Sequence, residues 1–503
     1  QAANGAPGKV VWPPVSELTW TGAVSTDWFT PGNWDGNQVP DGTTDAIIEL
    51  KANNPIVAGS NALCKSLRIT NGQLTLAAGA DMTVTKDVEL GTQNYAAVLA
   101  LEENTPDTSK LFVGGGWQKN VSAVFQPNNS EIVFEAGNGT ILIDPGEGAF
   151  ANLTFSGGAT FQLSANTMEV NQDLTLAQGE LVPVVSGYTF TLKVDYAAYN
   201  CALNLAENGT VVLAGANQTI SRAAWNSAEI AGSGTKTFRD SASFAGLLTV
   251  KSVIRGETPL HMQDDVSIEA SGTFDDAGLE HCFTGQDWYG NGAYTGNGTV
   301  CFQRGNRQYL YGGSFHNLNI QGTNYKILEG NVSLSGDFIL GDTISYFNAQ
   351  EYLVESSNTS GDFHHGACRL YIRGANNYPA SFANYSADPT SETYYDAAMD
   401  QTIAGAQYGR LYLNNGGTKT LAGDIEVNEN IYIRDNTTLD ASTNNYRINI
   451  AGNFYNHYGG DFLCRQGELI FDGTEEEGGT YQRLYLSEGA SNTFYKLTTD
   501  RGQ

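Results

Sequence analysis

The chain has 503 residues, with 54 acidic and 26 basic side chains for a net charge of −28, and only 16% of it is charged against roughly 25% in ordinary globular domains. Without a basic footprint to meet phosphates, nucleic acid is not an expected partner, and an electrostatic hold on an anionic membrane is disfavoured for the same reason. No apolar run reaches the length of a spanning helix, so direct membrane insertion is not expected either. Polarity comes instead from Asn, Thr, Ser and Gln alongside 58 glycines, a mixture that suits strand edges and tight turns better than helices.

Residues 1–16, with Pro7, Pro13 and Pro14, read as an irregular leader. The chain opens on Gln1, which can cyclise to pyroglutamate, and has no basic-apolar signal segment. That pattern predicts a processed, secreted, extracellular protein. Residues 17–59 hold Trp20-Thr21-Gly22, Asp27-Trp28, Asn33-Trp34 and Pro40, then a strand from Ala46 to Leu50. Large aromatics on a turn-rich segment suit an N-terminal cap that closes the open end of a repeat array; a sugar-stacking platform is the second reading. Asp35, Asn37, Asp41 and Asp45 are oxygen ligands of the type calcium takes, the only cofactor the residues suggest. They lack the ordered spacing and closing Glu of a helix-loop-helix calcium site, and turn chemistry is the plainer account of them.

From residue 60 to 503 the text is short apolar alternations broken by Gly, Asn and Asp, as in Ile425-Glu426-Val427, Ile431-Tyr432-Ile433 and Ile448-Asn449-Ile450. Glu102 to Lys110, with Pro106, interrupts them and is predicted to be a surface loop. One cadence recurs: an aromatic residue, two spacers, Leu, a spacer and an apolar residue, clearest in Phe315-His316-Asn317-Leu318-Asn319-Ile320. Its anchors fall at Leu67, Leu153, Ala228, Leu318, Leu411 and Leu497, giving about six repeats of 75–93 residues. A second signal keeps the beat, with Gln218, Gln308, Gln401 and Gln482 each opening an apolar stretch. With no linkers and no Cys-Trp-Cys spacing, the fold class expected is all-β, an elongated parallel β-helix-like solenoid; tandem β-sandwiches are the alternative.

The six cysteines are too sparse for a disulfide scaffold. Cys282 and Cys301, 19 residues or about one coil apart, would be neighbours in a stack, at a separation a disulfide can span, so a bond is expected there. No nucleophile elbow, zinc-protease helix or phosphate loop occurs. Gly290-Asn291-Gly292 with Gly296 reads as a turn, His364-His365 would point to opposite faces of a strand, and the acidic groups Asp264-Asp265, Asp275-Asp276 and Glu475-Glu476-Glu477 read as solvated. No catalytic residue is assigned.

The cap together with Gly452-Asn453-Phe454, Gln401-Thr402-Ile403-Ala404-Gly405 and Phe315-His316-Asn317-Leu318-Asn319-Ile320 resembles the giant surface adhesins of Bacteroidota, repeat proteins of the gliding-motility type exported by the type IX secretion system. The resemblance runs from about Leu18 to the end and rests on degenerate structural motifs. It implies display on the cell surface, a role in adhesion or gliding, and O-glycosylation at Asp-Ser/Thr-apolar sites, here Ser241 and Thr343. It also implies a C-terminal sorting domain, which does not occur up to Gln503, so this export route is read from the repeats alone. The expected function is a non-enzymatic adhesin or structural stalk whose partners are surface glycans, abiotic surfaces, or outer-membrane secretion and motility proteins. The alternatives are a glycan-binding module using Tyr and Trp platforms, and a polysaccharide lyase or hydrolase on a parallel β-helix.

Overall fold

Short alternating apolar segments favour extended backbone, and each must bury its apolar face against a neighbour. The computed structural model describes residues 16–59, 61–92, 95–104, 107–164, 167–183, 189–193, 196–198, 202–203, 209–457, 459–473, 481–486, 488 and 491–500. Among the described residues there is no α-helix, only a 3-10 turn at Pro31–Asn33, and no helix long and apolar enough to cross a membrane. The architecture is all-β, with short parallel strands wound into the coils of a β-solenoid. Sandwiches would instead have shown antiparallel ladders. Two compact units divide the chain, Gln1–Asn226 and Ser227–Gln503.

In the first unit a coil contributes three strands to three parallel sheets. Leu67 pairs with Val88 and Leu153 with Leu174, twenty-one residues on in each case. Inward columns follow from this register: Ile132, Leu153 and Leu174 face the interior on successive strands, and Phe134 stacks on Phe155 with ring centroids 5.2 Å apart. Each fully buried side chain of this size stabilises the stack by about 1.5–3 kcal/mol. The interruption predicted between Glu102 and Lys110 contains an antiparallel pairing of Glu103–Asn104 with Asp107–Thr108.

The segment 17–59 is continuous with this stack. Glu17–Thr19 pairs with Asp45–Ile48, which pairs in turn with Leu67–Ile69. Trp20, Trp28 and Trp34 are buried at 0%, 0% and 2% exposure, with Trp34 edge-on to both other rings at 5.1 and 4.7 Å. Asn33 organises the turn above them, its Oδ1 accepting from the backbone of Val24 and Ser25. The tryptophans therefore belong to the core, and their faces are closed to a sugar.

The second unit keeps three strands per coil except in its middle. There two sides merge into long bent strands, Gln308–Phe315 and Tyr325–Leu334, the latter pairing along its length with two separate strands, Tyr346–Asn348 and Val354–Ser356. The register shifts between Leu310 and Tyr311. A Cβ on Gly290 would lie 2.5 Å from the Gly312 oxygen, and one on Gly330 would lie 2.7 Å from the Gly312 nitrogen, so only glycine lets these backbones approach.

Two expectations need correction. Leu67, Leu153, Ala228, Leu318 and Leu411 are buried, but Leu497 is 50% exposed because Lys496–Thr499, the last described strand, is paired on one side alone. The anchors also fall in several different sheets, so the cadence marks any inward-facing strand, and the structural unit is the coil of about twenty residues. Second, Cys282 and Cys301 are register partners yet remain free thiols. In-register parallel strands hold their Cβ atoms one strand spacing apart with parallel Cα–Cβ vectors, whereas a disulfide needs them about 3.8 Å apart and turned toward each other.

Candidate binding face: a tyrosine and arginine ladder

In-register parallel strands repeat a side chain at the strand spacing, and outward columns of one residue type become continuous stripes. On the outward face of one sheet of the second unit, Tyr371, Tyr394, Tyr412, Tyr432, Tyr455 and Tyr485 are successive register partners. Their centroids are 4.6, 4.4, 4.5, 4.9 and 4.9 Å apart, with planes inclined by 4–13°. Tyr325 and Tyr346 stack at 4.1 Å, and Tyr346 meets Tyr371 edge-on at 5.3 Å. Tyr289 and Tyr311 stack at 4.5 Å, with Tyr309 beside them. Eleven of the 25 tyrosines thus collect on the outward face of this one sheet, too many for scatter.

Arginines flank the stripe. Arg307 lies over Tyr325 at 5.5 Å, Arg373 over Tyr371 at 5.8 Å, and Arg434 over both Tyr412 and Tyr432 at 5.2 and 4.8 Å. Arg369 donates to Glu392 at 2.8 Å, and Arg410 grips Glu429 through two nitrogens. Tyr394 donates its hydroxyl to Glu392 at 2.7 Å, and Arg483 donates to the Tyr485 hydroxyl at 2.7 Å. Six of the fourteen arginines, at 307, 369, 373, 410, 434 and 483, therefore serve one face of a strongly acidic chain. Burial pushes the Tyr412 phenol up to about 12, and burial with the Glu392 contact pushes Tyr394 higher still. Both stay protonated at neutral pH and can donate.

The geometry limits what the face can do. A sugar stacks on the open face of a ring, but within the ladder each ring covers its neighbour. What is presented outward is a row of phenol edges and hydroxyls at coil spacing, bordered by guanidinium groups. That is a surface for repeated hydrogen bonding and charge pairing along an extended ligand.

The residues singled out from the sequence are placed as follows. Asp41 accepts from the Thr43 backbone and from the Thr43 and Thr44 hydroxyls, which holds its carboxyl below the usual range; Asp35 accepts from the Thr19 backbone; Asp45 pairs with Lys65 at 3.1 Å; and Asn37 sits in a turn at φ 51°. Among the described residues no group of three or more His, Cys, Asp or Glu is arranged to hold a metal ion. Ser241 and Thr343 are exposed. His364 faces outward to Ser386, while His365 is buried, with Nε2 3.2 Å from the Cys368 oxygen, and is pushed down to about 4 by desolvation. Asp275 pairs with Arg255, and the buried Asp276 accepts from Tyr294 and the backbone of Gly278 and Gly298. Asp265 accepts from the Asp287 backbone. Gln1, Cys201 and Glu475 to Glu477 lie outside the described residues.

The recurring glutamines prove to be internal staples. Gln401 donates to the carbonyls of Ile372 and Gly374 in the preceding coil, at 3.0 and 2.8 Å, and accepts from the Ala397 backbone at 3.1 Å. Gln308 reaches Phe283 and Gly285 in the same way, and Gln482 reaches Ile450 and Gly452. Buried lysines do related work: Lys419 donates to Ala397 and Met399 at 2.6 and 3.0 Å, and Lys326 to Arg304 at 2.6 Å.

A family model described as a domain of unknown function (DUF8693) matches residues 19–105, the tryptophan cap and the first coils. No curated protein and no solved structure matches the chain.

Proposed function

We propose that this protein is a non-enzymatic extracellular surface protein, an adhesin of the Bacteroidota type exported by type IX secretion, that attaches cells to surface glycans or abiotic surfaces. The observation that carries this reading is the tyrosine–arginine ladder of the second unit, a contact surface repeated at coil spacing and suited to many weak contacts. Weak contacts in register along one ligand add up by avidity. The exposed Ser241 and Thr343 suit the O-glycosylation that the resemblance implies.

The test is attachment of beads coated with the protein to glycan-coated and bare surfaces under flow, alongside a variant carrying Arg307→Gln, Arg373→Gln and Arg434→Gln. Retention of the native beads and roughly tenfold weaker retention of the variant are expected. Native beads that do not adhere, or a protein that turns over polysaccharide, would overturn the reading.

A further inference from the structure

At one end of the ladder lies a hollow of about 510 Å³ whose walls include Glu429, Asn430, Asn453, Tyr455, Tyr481 and Arg483, a size in the range of small-ligand sites. Its polar groups come from successive coils and are held in place. Asn430 Oδ1 accepts from the Asn453 backbone and side chain at 2.7 and 3.1 Å, and Asn453 Oδ1 accepts from the Arg483 backbone at 2.7 Å. Gln482 is anchored beneath by the Ile450 and Gly452 carbonyls.

Among the described residues the charges in the hollow do not cancel. Glu429 is neutralised by the two-nitrogen grip of Arg410, whereas Arg483 is exposed, bonds only the Tyr485 hydroxyl through its side chain, and has no carboxylate partner among the described residues. The aromatic groups divide the same way. Tyr455 is sandwiched between Tyr432 and Tyr485 and offers only its edge, but Tyr481 is 71% exposed and packs against no other ring among the described residues.

We infer that this hollow binds a carboxylate-bearing saccharide unit, of the uronic-acid class. Arg483 pairs with the carboxylate, the asparagine amides and the Tyr455 phenol take the ring hydroxyls, and Tyr481 covers the apolar face of the sugar. A neutral sugar would satisfy the amides and the ring but leave the guanidinium unmatched. A bare anion would satisfy the guanidinium and leave the amides and Tyr481 unused.

The inference rests on the attachment reading, and its test separates the two. Binding of a short galacturonic-acid oligomer and of its methyl ester to the whole protein would be measured by calorimetry at low and high salt. The acid form should bind at least tenfold more tightly than the ester, and salt should weaken it. Arg483→Gln should abolish that preference while leaving the circular dichroism spectrum unchanged. Tyr481→Ala should weaken both forms alike. Equal binding of acid and ester, no binding of either, or an Arg483→Gln variant that keeps the preference would overturn the inference. Bead attachment that persists in such a case would leave the attachment reading standing, and native beads that fail to adhere would remove that reading while an acid-selective site survived.

Discussion

Replacing Gln401 by Ala tests whether the glutamine beat is structural. Gln401 is 3% exposed and satisfies three backbone groups from two coils. Ile372 keeps a second donor in the Asp396 N–H, so the substitution orphans chiefly the Ala397 N–H and the Gly374 carbonyl. At about 1–3 kcal/mol for each buried unsatisfied group, the expected loss is roughly 4 kcal/mol. In a repeat fold this loss falls first on the coils that share the staple. Hydrogen exchange followed by mass spectrometry should show faster exchange in peptides spanning 372–403, by about a thousandfold at 1.4 kcal/mol per decade. Peptides of the tryptophan cap should be unchanged. Gln407→Ala, at a half-exposed neighbouring position bonded only to side chains, serves as the control and should cost less than about 0.5 kcal/mol. A Gln401→Ala loss below about 1 kcal/mol, or one spread evenly over the chain, would refute the reasoning.

Two other measurements probe the interior. Burial pushes Lys236, Lys326 and Lys419 each down to about 8, so between that value and the ordinary 10.5 the unfolded chain binds more protons than the folded one. Their contribution to stability is present in full above about 10.5 and is lost as pH falls through about 8. Urea midpoints should therefore rise from pH 7.5 to 9.5, and a triple Lys→Met variant should flatten that rise. Cys282 is half-buried, Cys64, Cys301, Cys368 and Cys464 are buried, and desolvation pushes the Cys301 thiol up to about 11. Iodoacetamide at pH 8 should label Cys282 slowly, and the other four only after unfolding. A Cys282–Cys301 disulfide in a non-reduced digest would contradict the free pair.

The fold was legible because its signals are local. Alternation such as Ile431-Tyr432-Ile433 makes a strand, and the clustered indoles of Trp20, Trp28 and Trp34 favour a closing cap, which the structure buries in the core. The glutamine beat was visible as well, although its purpose lay in carbonyls some twenty-five residues upstream. The ladder was not legible, because a column exists only once the pairing is known. Tyr371, Tyr394, Tyr412, Tyr432, Tyr455 and Tyr485 are separated by 23, 18, 20, 23 and 30 residues, and turns of unequal length hide the register between them. Lys236, Lys326 and Lys419 keep steps of 90 and 93, close to those of the glutamines, and that spacing was the available clue to their burial. The expected disulfide failed for a different reason. Spacing gives separation along the stack, but not the direction in which two Cβ atoms point.

The staples also decide how such a protein yields to force. Hydrogen bonds between coils run along the stack, so tension on a terminal strand peels one coil at a time and does not shear the whole sheet. Each released coil of about twenty residues adds roughly 70 Å of slack. The successive coils that carry Gln401 and Lys419, stapled to the backbone of the coil before them and of the 397–399 turn through five hydrogen bonds in all, would resist longer than their neighbours. A stack of this kind gives way in graded steps, absorbing work and lengthening as each coil is released.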